Sequence, residues 1–163
     1  MGSNTDKPPV IKASTTVLEQ RRIELGVLLP VYQELVAEVG KTLAGRLLYR
    51  AIAKLANNAG SEWSRRHPEK NLDGIRSLWQ KLSEGDALNI KISDTPGVVE
   101  ITVQDCAYAN MYRESDAVDL GKILSCSRDE AFLEGYSTKI KFTRTQCILD
   151  GDDCCQMKYQ GGI

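Results

Sequence analysis

The residues with the most chemistry in this chain are its five cysteines, Cys106, Cys126, Cys147, Cys154 and Cys155, all from position 106 onward. Cys126 stands one residue before Ser127, and Ser127 with Glu130 has the S-x-x-E spacing of a capping box, which predicts a helix starting at Arg128. A thiol just outside that start lies near the free N–H groups and the positive end of the helix dipole. Such a site lowers a thiol pKa from about 8.5, and the thiolate is the nucleophile. Asp129, three residues on, can accept a proton or orient a substrate amine, although its charge pushes the thiol pKa back up. The competing reading is structural: Cys126 packs as a staple partner of Ala131 while Asp129 complements the dipole. Cys106 repeats the arrangement, with Asp105 as N-cap of the next helix and Cys106 at its first position.

The end of the chain reads as a hairpin, "TKIKFTRTQCIL", a turn "DGDD", then "CCQMKYQ". Alternation puts Cys155, Met157 and Tyr159 on one face and Cys154, Gln156 and Lys158 on the other. On the partner strand Thr138, Ile140, Phe142, Arg144 and Gln146 share the inner face, and Lys139, Lys141, Thr143, Thr145 and Cys147 the outer one. An unpaired charge on an apolar face is costly. Arg144 therefore pairs with an acid such as Asp129, holds a substrate carboxylate through its planar fork, or snorkels at the sheet edge. The lone histidine, His67 in "SRRHPEK", reads as a solvated loop residue, which leaves a Cys–His or Ser–His–Asp arrangement little to build on. Three inward cysteines and Asp129 can also be read as soft-metal ligands, but no C-x-x-C pair supports a zinc site and the spacing is irregular.

These residues need elements to hold them. Apolar residues at Val17, Leu18, Leu25, Leu28, Leu29, Tyr32, Leu35, Val36 and Val39 follow helical spacing, with Pro30 as a kink or break and Gly40 as the end. A second helix is expected over residues 42–64, with Asn57 to Gly60 as a candidate early break, and a third over 72–82. "ALNIKIS" and "GVVEITV" flank the turn "DTPG" as a hairpin, and short helices follow at about 105–114 and 128–136. The fold expected is α+β: N-terminal helices packed on a small antiparallel sheet in a single domain over residues 14–163, after a disordered tail at 1–13. A length of 163 residues, 42% hydrophobic, suits one core rather than two.

A formal net charge of -1, from 21 basic and 22 acidic residues, gives no global field for nucleic acid or an anionic membrane. With no long apolar run, no signal-peptide pattern and an odd cysteine count, the expectation is a soluble, cytoplasmic protein with reduced thiols and no disulfide framework. The partner expected is a small molecule, with no cofactor, no bound metal, no nucleic acid and no membrane. Association as a homo-oligomer stays open.

The stretch from Cys126 to Tyr159 resembles the L-2-amino-thiazoline-4-carboxylic acid hydrolase family of bacteria. The matching elements are Cys126-x-x-Asp129, Lys141-x-x-Arg144-Thr145 and Gly151-Asp-Asp-Cys-Cys155. Upstream, "DCAYANMYRE" with Cys106 and "RRIELGVLLPVYQELVAEVG" are similar to other parts of the family. The resemblance implies a hydrolase acting on carbon–nitrogen bonds other than peptide bonds, which opens a five-membered cyclic amidine bearing a carboxylate. It further implies Cys126 as nucleophile, Asp129 as proton shuttle and Arg144 as carboxylate clamp. Cys106 and Cys155 would serve as pocket walls or second thiols, and Asp105 and Tyr108 would contact the substrate. The family also looks related to ligand-binding domains of the vinyl-reductase type, so a non-catalytic small-molecule sensor is the alternative.

Overall fold

The computed structural model describes residues 15–161; the tail expected at 1–13 lies outside the described residues. Helix α1, Val17–Val39, opens on a capping box that the apolar spacing did not reveal. The Thr16 hydroxyl accepts from the Glu19 N–H at 3.2 Å, and the Glu19 carboxylate accepts from the Thr16 N–H at 2.8 Å. Pro30 does not split α1. It sits on the exposed side, where one missing N–H is tolerated in a helix this long. Gly40, at φ 80°, ends the helix and leads into α2, Lys41–Arg66.

Helix α2 is not broken at Asn57 to Gly60, and its neighbour supplies the reason. It packs along α6, Arg128–Tyr136, so closely that a Cβ on Gly60 would lie 2.0 Å from the Phe132 carbonyl oxygen. A Cβ on Gly135 would lie 2.0 Å from the Asn57 oxygen. These glycines let two backbones touch and are no helix-ending signal. Helix α3, Leu72–Leu82, is N-capped by the Asn71 side chain.

Strands β1 (Leu88–Thr95), β2 (Val98–Cys106), β3 (Ile140–Gln146) and β4 (Cys155–Gly161) form one antiparallel sheet in the order β1-β2-β4-β3. On β2 the alternate residues Val99, Ile101 and Val103 are buried. They join Met157 and Tyr159 of β4 and, from α3, Ile75 and Trp79 in the core. The Trp79 indole N–H donates to the Tyr159 hydroxyl at 3.2 Å, which satisfies both buried polar atoms. The architecture is the expected α+β one, with helices layered over one face of a small sheet.

Three local expectations are corrected. Cys106, not Asp105, is the N-cap of α4, Ala107–Glu114, and its sulfur accepts from the Ala109 N–H at 3.4 Å. Ser127 caps nothing: its backbone is helical, and its hydroxyl donates backward to the Ile123 carbonyl at 2.7 Å. After α5, Val118–Gly121, the chain passes through a π-helical turn, Lys122–Cys126, that runs straight into α6. The Ser127 N–H is already bonded to Lys122, so Cys126 does not face a free helix N-terminus. Finally, a register shift between Arg144 and Gln146 ends the alternation of β3 and turns Cys147, expected on the outer face, into the core at 4% exposure.

Candidate functional site

Helices α1, α2, α3, α4 and α6 and the sheet enclose a cavity of about 340 Å³, at the low end of the roughly 300–1,000 Å³ typical of small-molecule sites. Much of its wall is apolar, including Trp63, Leu78, Trp79, Phe132 and Met157. Its polar groups come from chain segments far apart in sequence. Cys126, Arg128 and Asp129 come from the π turn and the start of α6, Arg144 and Cys155 from the sheet, Cys106 from the end of β2 where it caps α4, Tyr108 from α4, and Arg21 from α1.

Of the sequence-derived candidates, Cys106, Cys126, Asp129, Arg144, Cys155 and Tyr108 line this cavity. Asp105 does not. It is exposed, and its carboxylate accepts the Cys106 N–H at 2.9 Å. The Tyr108 ring faces the cavity while its hydroxyl donates to the Leu82 carbonyl at 3.1 Å, and burial pushes that hydroxyl up to about 12. His67 stacks on Trp63 with ring centroids 4.4 Å apart, away from the cavity lining. Cys154 donates to the Gln146 side chain at 3.4 Å and is not in the wall. Among the described residues no group of three or more His, Cys, Asp or Glu is placed to hold a metal ion, so the soft-metal reading has no ligand set.

The polar centre of the cavity is a pair of pairs. The Arg144 guanidinium bonds the Asp129 carboxylate and, at 3.1 Å, the Cys126 carbonyl, while its plane lies over the Phe142 ring at 5.4 Å. Arg144 thus pairs with Asp129 through Nη2, the first of the three roles its position allowed, and its buried Nε has no protein partner. Removal from water raises the Asp129 carboxyl to about 6, against the pull of Arg144.

Behind this pair, Cys126 Sγ lies 3.9 Å from Cys147 Sγ. Two thiols at that distance make a weak S–H···S contact, so the pKa of each depends on the other. The hydrogen bond between the two sulfurs lowers Cys147 to about 6 against the effect of burial, helped by the backbone at Leu149 and by the charge of Arg144. Cys126 moves the other way, pushed up by Cys147 and then by burial. The helix-dipole activation expected at Cys126 is therefore corrected: no free helix N-terminus faces its sulfur, and the contact between the two thiols raises Cys126 while it lowers Cys147. Burial also raises Cys106, and it raises Cys155 to about 12, although the Cys155 sulfur accepts the Ile148 N–H at 3.2 Å.

The sequence model of the L-2-amino-thiazoline-4-carboxylic acid hydrolase family matches residues 20–159. The chain belongs to that family. The matched span takes in every cavity residue named above. No curated protein matches it. Among solved structures, the phenol-responsive sensory domain of the transcription activator PoxR with phenol is 16% identical. That likeness covers 86% of this chain and 74% of that one, at a TM-score of 0.47. A trafficking protein particle complex subunit 3 from Naegleria fowleri, covalently bound to palmitic acid, is 13% identical, with 87% and 97% covered and a TM-score of 0.43.

Reading the sequence missed Cys147 and two arginines. Arg21 and Arg128 reach the cavity at side-chain exposures of 12% and 17%, and both bond Glu24. Arg21 and Glu24 look like a solvated i, i+3 pair. Their signal was positional, because Val17, Arg21, Glu24 and Leu28 fall on one face of α1.

Proposed function

We propose that this protein hydrolyses a small cyclic amidine of the 2-amino-thiazoline-4-carboxylate type, with Cys126 as the attacking sulfur and Cys147 as its base. The observation that carries this reading is the placement of a cavity-facing thiol 3.9 Å from a second sulfur, whose pKa that contact lowers, beside the Asp129–Arg144 pair.

The amidine carbon is electrophilic. Cys126 Sγ bonds to it as the Cys126 proton passes to Cys147, so no free thiolate is needed in the open cavity. The ring bond from that carbon to its leaving heteroatom then breaks, and the heteroatom takes the proton from Cys147. Asp129 next takes a proton from a water molecule, whose oxygen attacks the same carbon. The carbon–sulfur bond breaks, and the proton moves from Asp129 to Cys126. Substrate and one water become one ring-opened product, and both pairs return to their starting state. A carboxylate raised to about 6 suits this shuttle, because a base works best with its pKa near the operating pH. Five cysteines without a disulfide among them support a reducing compartment, consistent with a cytoplasmic site of action. Among the described residues no helix is long and apolar enough to cross a membrane.

The deciding measurement is turnover of 2-amino-thiazoline-4-carboxylate by wild type and by Cys126→Ser. The expected result is turnover by wild type and loss of at least about 100-fold in the variant; equal rates would remove Cys126 from the mechanism. One observation favours a second reading, a binding-only sensor: Cys126 is held protonated in a largely apolar cavity. That reading expects the same ligand to raise the melting temperature with no product formed.

A further inference from the structure

Arg21 and Arg128 stand out among the cavity groups because two guanidinium ions share one acid. Arg21 Nη1 donates to both Glu24 oxygens at 2.9 Å, and Arg128 Nη2 donates to Glu24 Oε2 at 3.2 Å. Arg128 Nε is fixed by the Leu124 carbonyl at 2.6 Å. Nε and Nη2 of Arg21 and Nη1 of Arg128 have no protein acceptor among the described residues. They are also not sealed in, since the one buried side-chain donor left unbonded there is Arg144 Nε. The cluster carries one positive charge more than it neutralises, on side chains that solvent barely screens. The strain shows at Arg128, whose guanidinium is pulled below its ordinary range by burial and then by Arg21. Holding two such groups together without a ligand is unfavourable, and a planar monoanion would relieve it by accepting the free donors.

We propose that Arg21 and Arg128, set by Glu24, form the carboxylate subsite of the cavity. Arg144 is not assigned that role, because its charge is already matched one-to-one by Asp129, whereas Arg21 and Arg128 share one acid. The proposal rests on the hydrolase reading only for the choice of ring. The same wall of α6 carries Arg128 and, one residue on, Asp129. A zwitterionic amidine would therefore find its anion recognised at one end of that wall and its cationic ring at the other, beside the Asp129 carboxylate and Cys126. The ligand class is a monocarboxylate on a small ring, with the apolar walls around the ring body.

The test separates binding from turnover by using full-length Cys126→Ser protein in calorimetric titrations. The two probes are 2-amino-thiazoline-4-carboxylate and 2-amino-thiazoline, which lacks the acid. The carboxylate ligand is expected to bind at least about 10-fold more tightly, as charge-assisted hydrogen bonds to two guanidinium groups require. Adding Arg21→Gln or Arg128→Gln should collapse that ratio toward unity, while Lys81→Gln, which removes another cation of the cavity wall, should preserve it. If a glutamine variant is unfolded, Arg21→Lys, which keeps the charge and loses the fork, should fold and lower the ratio. A ratio near unity in the parent protein, no measurable binding of the carboxylate ligand, or a full ratio in the Arg21 and Arg128 variants would overturn the proposal. Wild type that binds with this ratio but releases no product would overturn the hydrolase reading and leave the subsite standing.

Discussion

Replacing Arg144 by Met would leave the Asp129 carboxylate in place and remove its counter-ion, and the structure fixes how the loss must depend on pH. The Asp129 side chain is only 20% exposed, and lack of solvent already holds it at about 6 with the guanidinium beside it. Without Arg144 its pKa rises further, since the arginine opposes the effect of burial. Breaking a buried pair by removing one partner costs about 3–5 kcal/mol, and the residual exposure here favours the lower end, about 3 kcal/mol. That cost applies only while Asp129 is ionised. The folded variant binds a proton that the unfolded chain, with an ordinary aspartate near 3.9, releases. Stability attributable to this group is therefore present below the unfolded pKa and is lost as pH rises through the raised folded pKa. Urea unfolding of wild type and Arg144→Met at pH 5 and pH 8 checks this. The expected deficit is about 3 kcal/mol at pH 8 and clearly smaller at pH 5, where what remains is the bond to the Cys126 carbonyl. The double variant Arg144→Met/Asp129→Asn should recover most of the pH 8 loss. Equal deficits at both pH values, or no recovery in the double variant, would refute the account of Asp129 as a desolvated carboxylate held by Arg144.

Three further outcomes follow from the same geometry. Cys147, lowered to about 6, contributes stability that is present above the unfolded thiol pKa and lost as pH falls through about 6. The wild-type kcat/KM is thus expected to rise through an acid limb near pH 6 to which Cys147 and Asp129 both contribute, and Cys147→Ser should lower its steepness; an unchanged profile counts against Cys147 as base. Gly60→Ala places a methyl group against the Phe132 carbonyl and should cost about 1–3 kcal/mol, read as a lower melting temperature, whereas no change would mean that α2 and α6 can part freely. Tyr159→Phe strands the buried Trp79 N–H and should cost about 1–3 kcal/mol in denaturant unfolding, with a neutral result showing that another acceptor replaces the hydroxyl.

The sequence made the sheet legible because its strands alternate cleanly. The turns around Gly97 and Gly151, both at positive φ, carry the residues such turns need. The residues Arg128 to Tyr136 were readable as a helix, but the way into it was not. Ser127 and Glu130 have capping-box spacing, yet the chain arrives already helical through Lys122–Cys126, so the hydroxyl bonds backward. Cys147 escaped for a similar reason. Strict alternation puts it outside, and a register shift after Arg144 that no residue type announces puts it inside. Most of the cavity-lining candidates were nameable from type and spacing. Which sulfur keeps the proton was not, because that depends on a 3.9 Å approach between residues 21 positions apart.

The seam between α2 and α6 has a consequence for the cavity it borders. The separation of these helices is fixed by atoms that are missing at Gly60 and Gly135, and the face of α6 that carries Gly135 also carries Arg128 and Phe132, with Asp129 beside them, in the cavity wall. Carbon added at the seam would push α6 away from α2, moving a guanidinium, a carboxylate and an aromatic ring together. The gauge of the chamber can thus be reset from outside it, with every residue that meets the ligand left as it is.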